Sequence, residues 1–157
     1  MKRTLIITLV VLSALLAGLP SIATTYTWTG AGFFGNQDYL WSNPNNWAEL
    51  AAPQNGEQGV QLVFPNTAAP RSTTNDVLNL VIKSVIFQGA NYSIHGAGAN
   101  GTTMSLRGDN GGDFALATLA TGCQFGATTR LQLASGGLIT VASGTTLNLK
   151  SRILGLQ

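Results

Sequence analysis

The chain has 157 residues, of which 45% are hydrophobic and only 9% charged, with a formal net charge of +2 and a single cysteine. That length and apolar content suffice for one domain with a real core, while sparse charge with no Lys/Arg cluster excludes an electrostatic footprint for nucleic acid or an anionic membrane. A lone Cys123 excludes an intramolecular disulfide, so stability has to come from packing, and with Gly122 beside it and Phe125 close by it is expected to be a small buried hydrophobe.

The first element is a targeting segment. Lys2-Arg3 precede an apolar run from Leu5 to Leu19, followed by Pro20 and the small residues Ser21 and Ala23. This is the pattern of a cleaved signal peptide over residues 1–23. The run is shorter than the roughly 20 apolar residues a bilayer requires, so no transmembrane segment is expected in the mature chain. Leu16-Ala17-Gly18 resembles the start of a lipid-attachment signal, but Leu19 stands where the cysteine would have to be. Cleavage removes Lys2 and Arg3, which leaves six basic residues against six acidic ones.

Three tryptophans follow within a short span: Trp28 in TYTWTG, then Trp41 and Trp47 around the turn-forming run Ser42-Asn43-Pro44-Asn45-Asn46. Two readings fit. The rings close the end of whatever follows, each burying about 150–250 Å². Otherwise one or more stays exposed as a stacking platform for sugar rings, with Asn36, Asn43, Asn45 and Asn46 donating and accepting hydrogen bonds, which makes Trp28, Trp41, Trp47, Asn43 and Asn46 the candidate ligand-binding residues.

Strand patterns dominate the remainder. VQLVF (60–64) alternates, and VIFQG (85–89), YSIHG (92–96) and MSLRG (104–108) share the order apolar, any, apolar, polar, glycine. A two-residue period puts Val85/Phe87, Tyr92/Ile94 and Met104/Leu106 on an inner face, and Gln88, His95 and Arg107 outside. The glycines are expected to turn the chain at positive φ. Next comes RGDNGGDF (107–114), where Asp109, Asn110 and Asp113 offer oxygens to a weak calcium candidate. Their spacing matches neither the EF-hand nor the calcium nonapeptide, which favours a polar turn. Arg107-Gly108-Asp109 is a receptor-binding tripeptide by composition, but its Arg and Gly are already explained by the strand pattern. NYS and NGT are glycosylation acceptors only in a glycosylating source.

Near the C-terminus LQLASGGL (131–138), ITVASGTT (139–146) and LNLKSRIL (147–154) repeat every eight residues. Leu131/Leu133, Ile139/Val141 and Leu147/Leu149 form the apolar face of each unit, and Ser135, Ser143 and Ser151 share the fifth place. Each unit is expected to be a short strand with one buried face and a turn. Helical periodicity is absent from the mature chain. Near-repetition of short strands predicts an all-β fold, a short parallel β-helix or solenoid, with residues 24–64 as its Trp-rich N-terminal cap and 65–157 as its rungs.

The order TWTG (27–30), Trp41-Ser42-Asn43, Asn46-Trp47, Ala52-Pro53, VQLVF (60–64), SVIFQG (84–89) and NYSIHG (91–96) resembles the start of bacterial passenger proteins that carry the autotransporter-associated β-strand repeat. The resemblance implies a secreted or cell-surface β-helical module, adhesive or structural. Full passengers continue through more repeats into a membrane barrel, whereas LKSRILGLQ (149–157) contains no such strand series, which is what a fragment or a small secreted relative would show.

Catalysis has little raw material. His95 is the single histidine, no cysteine pair exists, and the carboxylates number six, so triads and zinc sites are not expected. The expectation is a non-enzymatic structural or adhesin-like module without cofactor. Its expected partners are extracellular glycans or, through uncapped solenoid ends, other copies of itself; the alternative is a glycan-binding module using the Trp segment.

Overall fold

The computed structural model describes residues 23–32, 38–107, 113–133 and 136–155. Twelve strands appear in this order: β1 (Thr25–Thr27), β2 (Val60–Phe64), β3 (Ser72–Asn75), β4 (Leu80–Phe87), β5 (Ser93–Gly96), β6 (Thr102–Leu106), β7 (Phe114–Thr118), β8 (Cys123–Phe125), β9 (Thr129–Leu133), β10 (Gly137–Val141), β11 (Leu147–Leu149) and β12 (Arg152–Leu154). A 3-10 turn at Pro44–Asn46 is the only helical stretch among the described residues. The proposed signal segment lies outside them, apart from Ala23.

Every strand-to-strand ladder is parallel, and no strand pairs with its immediate successor except β1 with β2. Parallel neighbours require a crossover, and here the crossover is the coil itself. One wall stacks β1, β2, the second half of β4, β7 and β10. A second stacks β3, β5, β8 and β11. The third stacks the first half of β4, β6, β9 and β12. The chain is therefore a parallel β-solenoid of about 4 turns. Strand β4 rounds a corner: a register shift where Val60 pairs with Ile82 and Gln61 with Ser84 skips Lys83, so one strand serves two walls and two successive turns.

The inner faces line up into rows because parallel register places like positions above one another. Tyr26, Leu62, Val85, Leu116 and Ile139 form one row, and Leu80, Met104, Leu131 and Ile153 another. Phe64 stacks on Phe87 at 5.2 Å and 23°, and Phe87 meets Phe125 edge-on at 5.7 Å. These rows bury what no single turn could bury alone. Val85/Phe87, Tyr92/Ile94 and Met104/Leu106 are all buried, while Gln88 and Arg107 are exposed and His95 half-buried. Cys123 is buried too, its thiol donating to Gly89 O at 3.2 Å.

Two expectations are corrected. Gly89 and Gly96 do not turn the chain at positive φ; left-handed backbone falls instead at Asn79 (φ 55), Asn91 (φ 62), Gly98 (φ 73) and Gly122 (φ 75), among others. What Gly89 and Gly96 supply is room. A Cβ on Gly89 would lie 2.7 Å from Pro65 O, and one on Gly96 would collide with Thr128 O and Thr102 N. Gly108 lies outside the described residues.

The second correction concerns the eight-residue repeat, which counts walls and not turns. Its third unit holds both β11 and β12, with a corner at Lys150-Ser151. Its apolar face is also not buried throughout. Leu131 is buried and Leu133 and Leu147 half-buried, but Ile139 is 41% exposed, Val141 46% and Leu149 36%. They stand in the inner rows, and no following turn among the described residues covers them.

Candidate functional site

The Trp segment builds one end of the coil, and its geometry follows from a small set of polar side chains. Asn43 caps the 3-10 turn, its Oδ1 accepting from Asn45 N at 3.0 Å, and Pro44 occupies the first helical position, where no amide donor is needed. Asn43 Nδ2 donates to Asp38 Oδ2 at 3.0 Å. Asn46 is fully buried and spends all its groups internally: Nδ2 donates to Asp38 O (3.1 Å) and Leu40 O (2.9 Å), Oδ1 accepts from Gly32 N (3.0 Å), and its carbonyl accepts from Thr29 N (2.8 Å). This cross-linking holds Trp28, Trp41 and Trp47 together.

The three indoles have 0%, 0% and 1% exposure. Trp47 sits between the other two, edge-on to Trp28 at 5.2 Å and 84° and to Trp41 at 6.0 Å and 75°, with Tyr26 edge-on at 5.7 Å. These are the offset arrangements that ring quadrupoles favour. Phe64, at 6.1 to 6.5 Å from each, joins the cluster to the aromatic row below. Each indole N–H has a partner: Trp28 donates to Pro70 O (3.0 Å), Trp41 to Thr73 Oγ1 (3.0 Å) and Trp47 to Trp41 O (2.8 Å).

This arrangement corrects the sugar-platform reading. A stacking platform requires an exposed ring face, and none of the three indoles presents one. Asn43 and Asn46 are engaged in the cap's own hydrogen bonds, Asn45 is exposed, and Asn36 lies outside the described residues.

The same segment also closes the backbone edges of all three walls. Over the first wall, Trp28 and Trp47 form an antiparallel bridge and Ala48 N donates to Thr27 O at 2.9 Å. Over the second, Thr74 N donates to Tyr39 O (2.8 Å) and Trp41 N to Thr74 O (3.0 Å). Over the third, Gly56 N donates to Leu78 O (2.9 Å) and Val81 N to Glu57 O (2.9 Å). Carboxylates fasten the rim. Glu49 accepts from Thr27 N at 2.9 Å, Asp76 accepts from Ser42 N at 2.9 Å, and Glu57 accepts from Gln54 N at 2.8 Å and from the Tyr26 hydroxyl at 3.0 Å. Burial first, and then the Glu57 carboxylate, push the Tyr26 pKa up to about 12.

A scan against protein-family models finds no match, and neither do searches of curated proteins and of solved structures.

Elsewhere the structure brings together a polar row that sequence reasoning missed. Ser93 Oγ lies 2.8 Å from His95 Nε2, two residues on along the outer face of β5, and Gln124 Nε2 of the next turn donates to Ser93 Oγ at 3.0 Å. The two-residue spacing was visible in the sequence; the Gln124 partner needed the register. No carboxylate hydrogen-bonds His95 among the described residues, so the pair has no third member to orient the ring as a base. Asp109 and Asn110 of the calcium candidate lie outside the described residues, and Asp113 is exposed. Among the described residues no group of three His, Cys, Asp or Glu could hold a metal, and no helix is long and apolar enough to cross a membrane.

Proposed function

We propose that this chain is an exported, non-enzymatic β-solenoid module with a structural or adhesin-like role at a cell surface or in the extracellular space. One observation carries the reading: a single Trp-centred segment seals the backbone edges of all three walls at one end of a parallel coil. Open solenoid ends expose unpaired strand edges and apolar surface, so a sealed end is what a free-standing coil requires. The Lys2-Arg3 and Leu5–Leu19 pattern supports export. A chain with one histidine and one cysteine supports a role that depends on shape and surface, not on turnover. Kinship with autotransporter-type passengers, suggested by the TWTG to NYSIHG order, belongs to the same proposal.

The test is fractionation of producing cells with an antibody against residues 24–64. Signal on intact cells or in the medium supports the reading, and signal confined to the cytoplasm overturns it. Turnover of any member of a polysaccharide panel by the purified chain would overturn the non-enzymatic part.

A further inference from the structure

Cations that are scattered along the sequence are gathered by the register onto one outer face. From residue 24 onward the chain has six basic residues, and five of them, Lys83, Arg107, Arg130, Lys150 and Arg152, stand on the third wall or at its corners. Arg71 is the exception, its guanidinium donating to Ala90 O and Asn66 O at 2.7 Å. Thr103, Arg130 and Arg152 are register neighbours in one outward row of β6, β9 and β12, and Ser105 and Gln132 stand in the next. They face outward because their strand neighbours Thr102, Met104, Thr129 and Leu131 are buried in the coil. That direction is set by alternation within each strand, whatever stacks on either side.

The carboxylates are placed elsewhere. Asp38, Glu49 and Asp76 are bonded into the sealed end, and Glu57, whose carbonyl accepts from Val81 on the wall's first strand, turns its carboxylate to Tyr26 and Gln54. Asp113, exposed in the turn after β6, borders this wall: a Cβ on Gly136 would lie 2.7 Å from its Oδ1, which puts it past the end of β9, whereas Arg130 is near that strand's start. Asp109 lies outside the described residues. Lys83 interacts within the fold, and Arg107 reaches Gln58 Oε1 at 3.5 Å. Among the described residues no carboxylate pairs with Arg130 or Arg152. Like charges side by side on adjacent strands are destabilising, and an anion between them removes the penalty.

We propose that the outer face of the third wall binds an acidic polysaccharide, with Arg130, Lys150 and Arg152 taking its carboxylate or sulfate groups and Thr103, Ser105 and Gln132 its hydroxyls. Arginine pairs with such anions through two parallel N–H donors. Ser105 Oγ donates to Gln132 Oε1 at 3.1 Å, which leaves the amide donors of Gln132 for a ligand. Adjacent strands lie about 4.8 Å apart, close to the length of one sugar ring, so the side chains of one row meet successive sugars of a polymer running along the coil. The neutral hydrogen-bonding groups beside the cations favour a sugar polymer over nucleic acid, because no aromatic side chain stands on this face to stack on a base. The proposal deepens the adhesin-like reading and rests on it for where the polymer is met, but binding by the purified chain is decided independently of export.

The experiment is calorimetric titration of the purified chain with heparin, polygalacturonate and uncharged dextran, at low and high salt. Binding of heparin, of polygalacturonate or of both is expected, weakened severalfold at high salt as the charges are screened, with none to dextran. Which of the two binds tells sulfate from carboxylate. Arg130→Gln and Arg152→Gln should each weaken the binding severalfold. Gln88→Glu makes the same change in net charge on an exposed side chain of the first wall and should leave the binding unchanged. Circular dichroism checks that the variants keep their β structure; if Arg130→Gln does not, Lys150→Gln, on an exposed side chain, replaces it. Failure of both acidic polymers to bind overturns the proposal, and so does equal weakening by Gln88→Glu, which would mean net charge and no site. Tighter binding of single-stranded DNA or of phosphatidylserine vesicles than of either polymer overturns it as well.

Discussion

Trp47 is the residue on which the sealed end depends most, since it touches Trp28, Trp41, Tyr26 and Phe64 at once and its indole N–H is satisfied inside the cluster. Trp47→Ala should cost about 3–5 kcal/mol, the range for removing a buried large aromatic, read as a lowered urea midpoint. A change of less than about 0.5 kcal/mol would show that the sealed end does not depend on this ring. Asn46 and Asn45 make a sharper comparison, because they are adjacent and chemically identical. Asn46→Ala strands buried partners and should cost about 1–3 kcal/mol; Asn45→Ala, on an exposed side chain, should stay within about 0.5 kcal/mol. Tyr26 supplies the pH dependence. Its folded pKa of about 12 lies above the usual phenol value, so the folded protein keeps a proton that the unfolded chain releases. The associated stability is whole below pH ~10 and is lost as pH rises toward 12, the window set by the unperturbed phenol and the folded value. Denaturation midpoints should fall across that window, and Tyr26→Phe should flatten the fall. Burial raises Tyr92 in the same direction, so the single variant leaves part of the slope.

At the scale of elements, β4 explains how the walls stay in register. It carries Leu80 and Ile82 into one wall and Val85 and Phe87 into another, with the shift at Lys83 as the corner. Glycine acts here through close approach. The inner corner at Gly96 brings Thr128 O and Thr102 N where a Cβ would have to be, so Gly96→Ala should destabilise by at least the about 1–3 kcal/mol typical of overpacking. Gly56, with nothing near its Cβ position, is sensitive only through its φ of +76. A thermal melt of Gly96→Ala indistinguishable from the wild type would show that this corner opens without cost. The alternation in VIFQG, YSIHG and MSLRG was legible because parallel strands with one buried face must alternate. Which glycines turn and which make room was not legible, because both roles select the same residue.

For the whole molecule, stability should grade along the axis. Solenoid turns are held by their neighbours, and β2 and β4 have partners on both sides while β10, β11 and β12 have one. Amide hydrogen exchange should therefore be slowest in β2 and β4 and fastest in the last three strands. Uniform protection along the coil would contradict this gradient.

The sequence by itself determined the fold class, the inner faces of the middle strands and the presence of an aromatic segment ahead of them, because each depends on local periodicity or composition. Only the tertiary structure decided that all three indoles are buried, that Asn46 is a cross-link and Asn45 is not, and that Ile139 and Val141 lie uncovered although their pattern matches that of buried residues. The physical reason is the same in each case. Alternation says which side chains face inward, but burial depends on whether another turn lies above them, and that is settled by the parallel register of strands more than twenty residues apart.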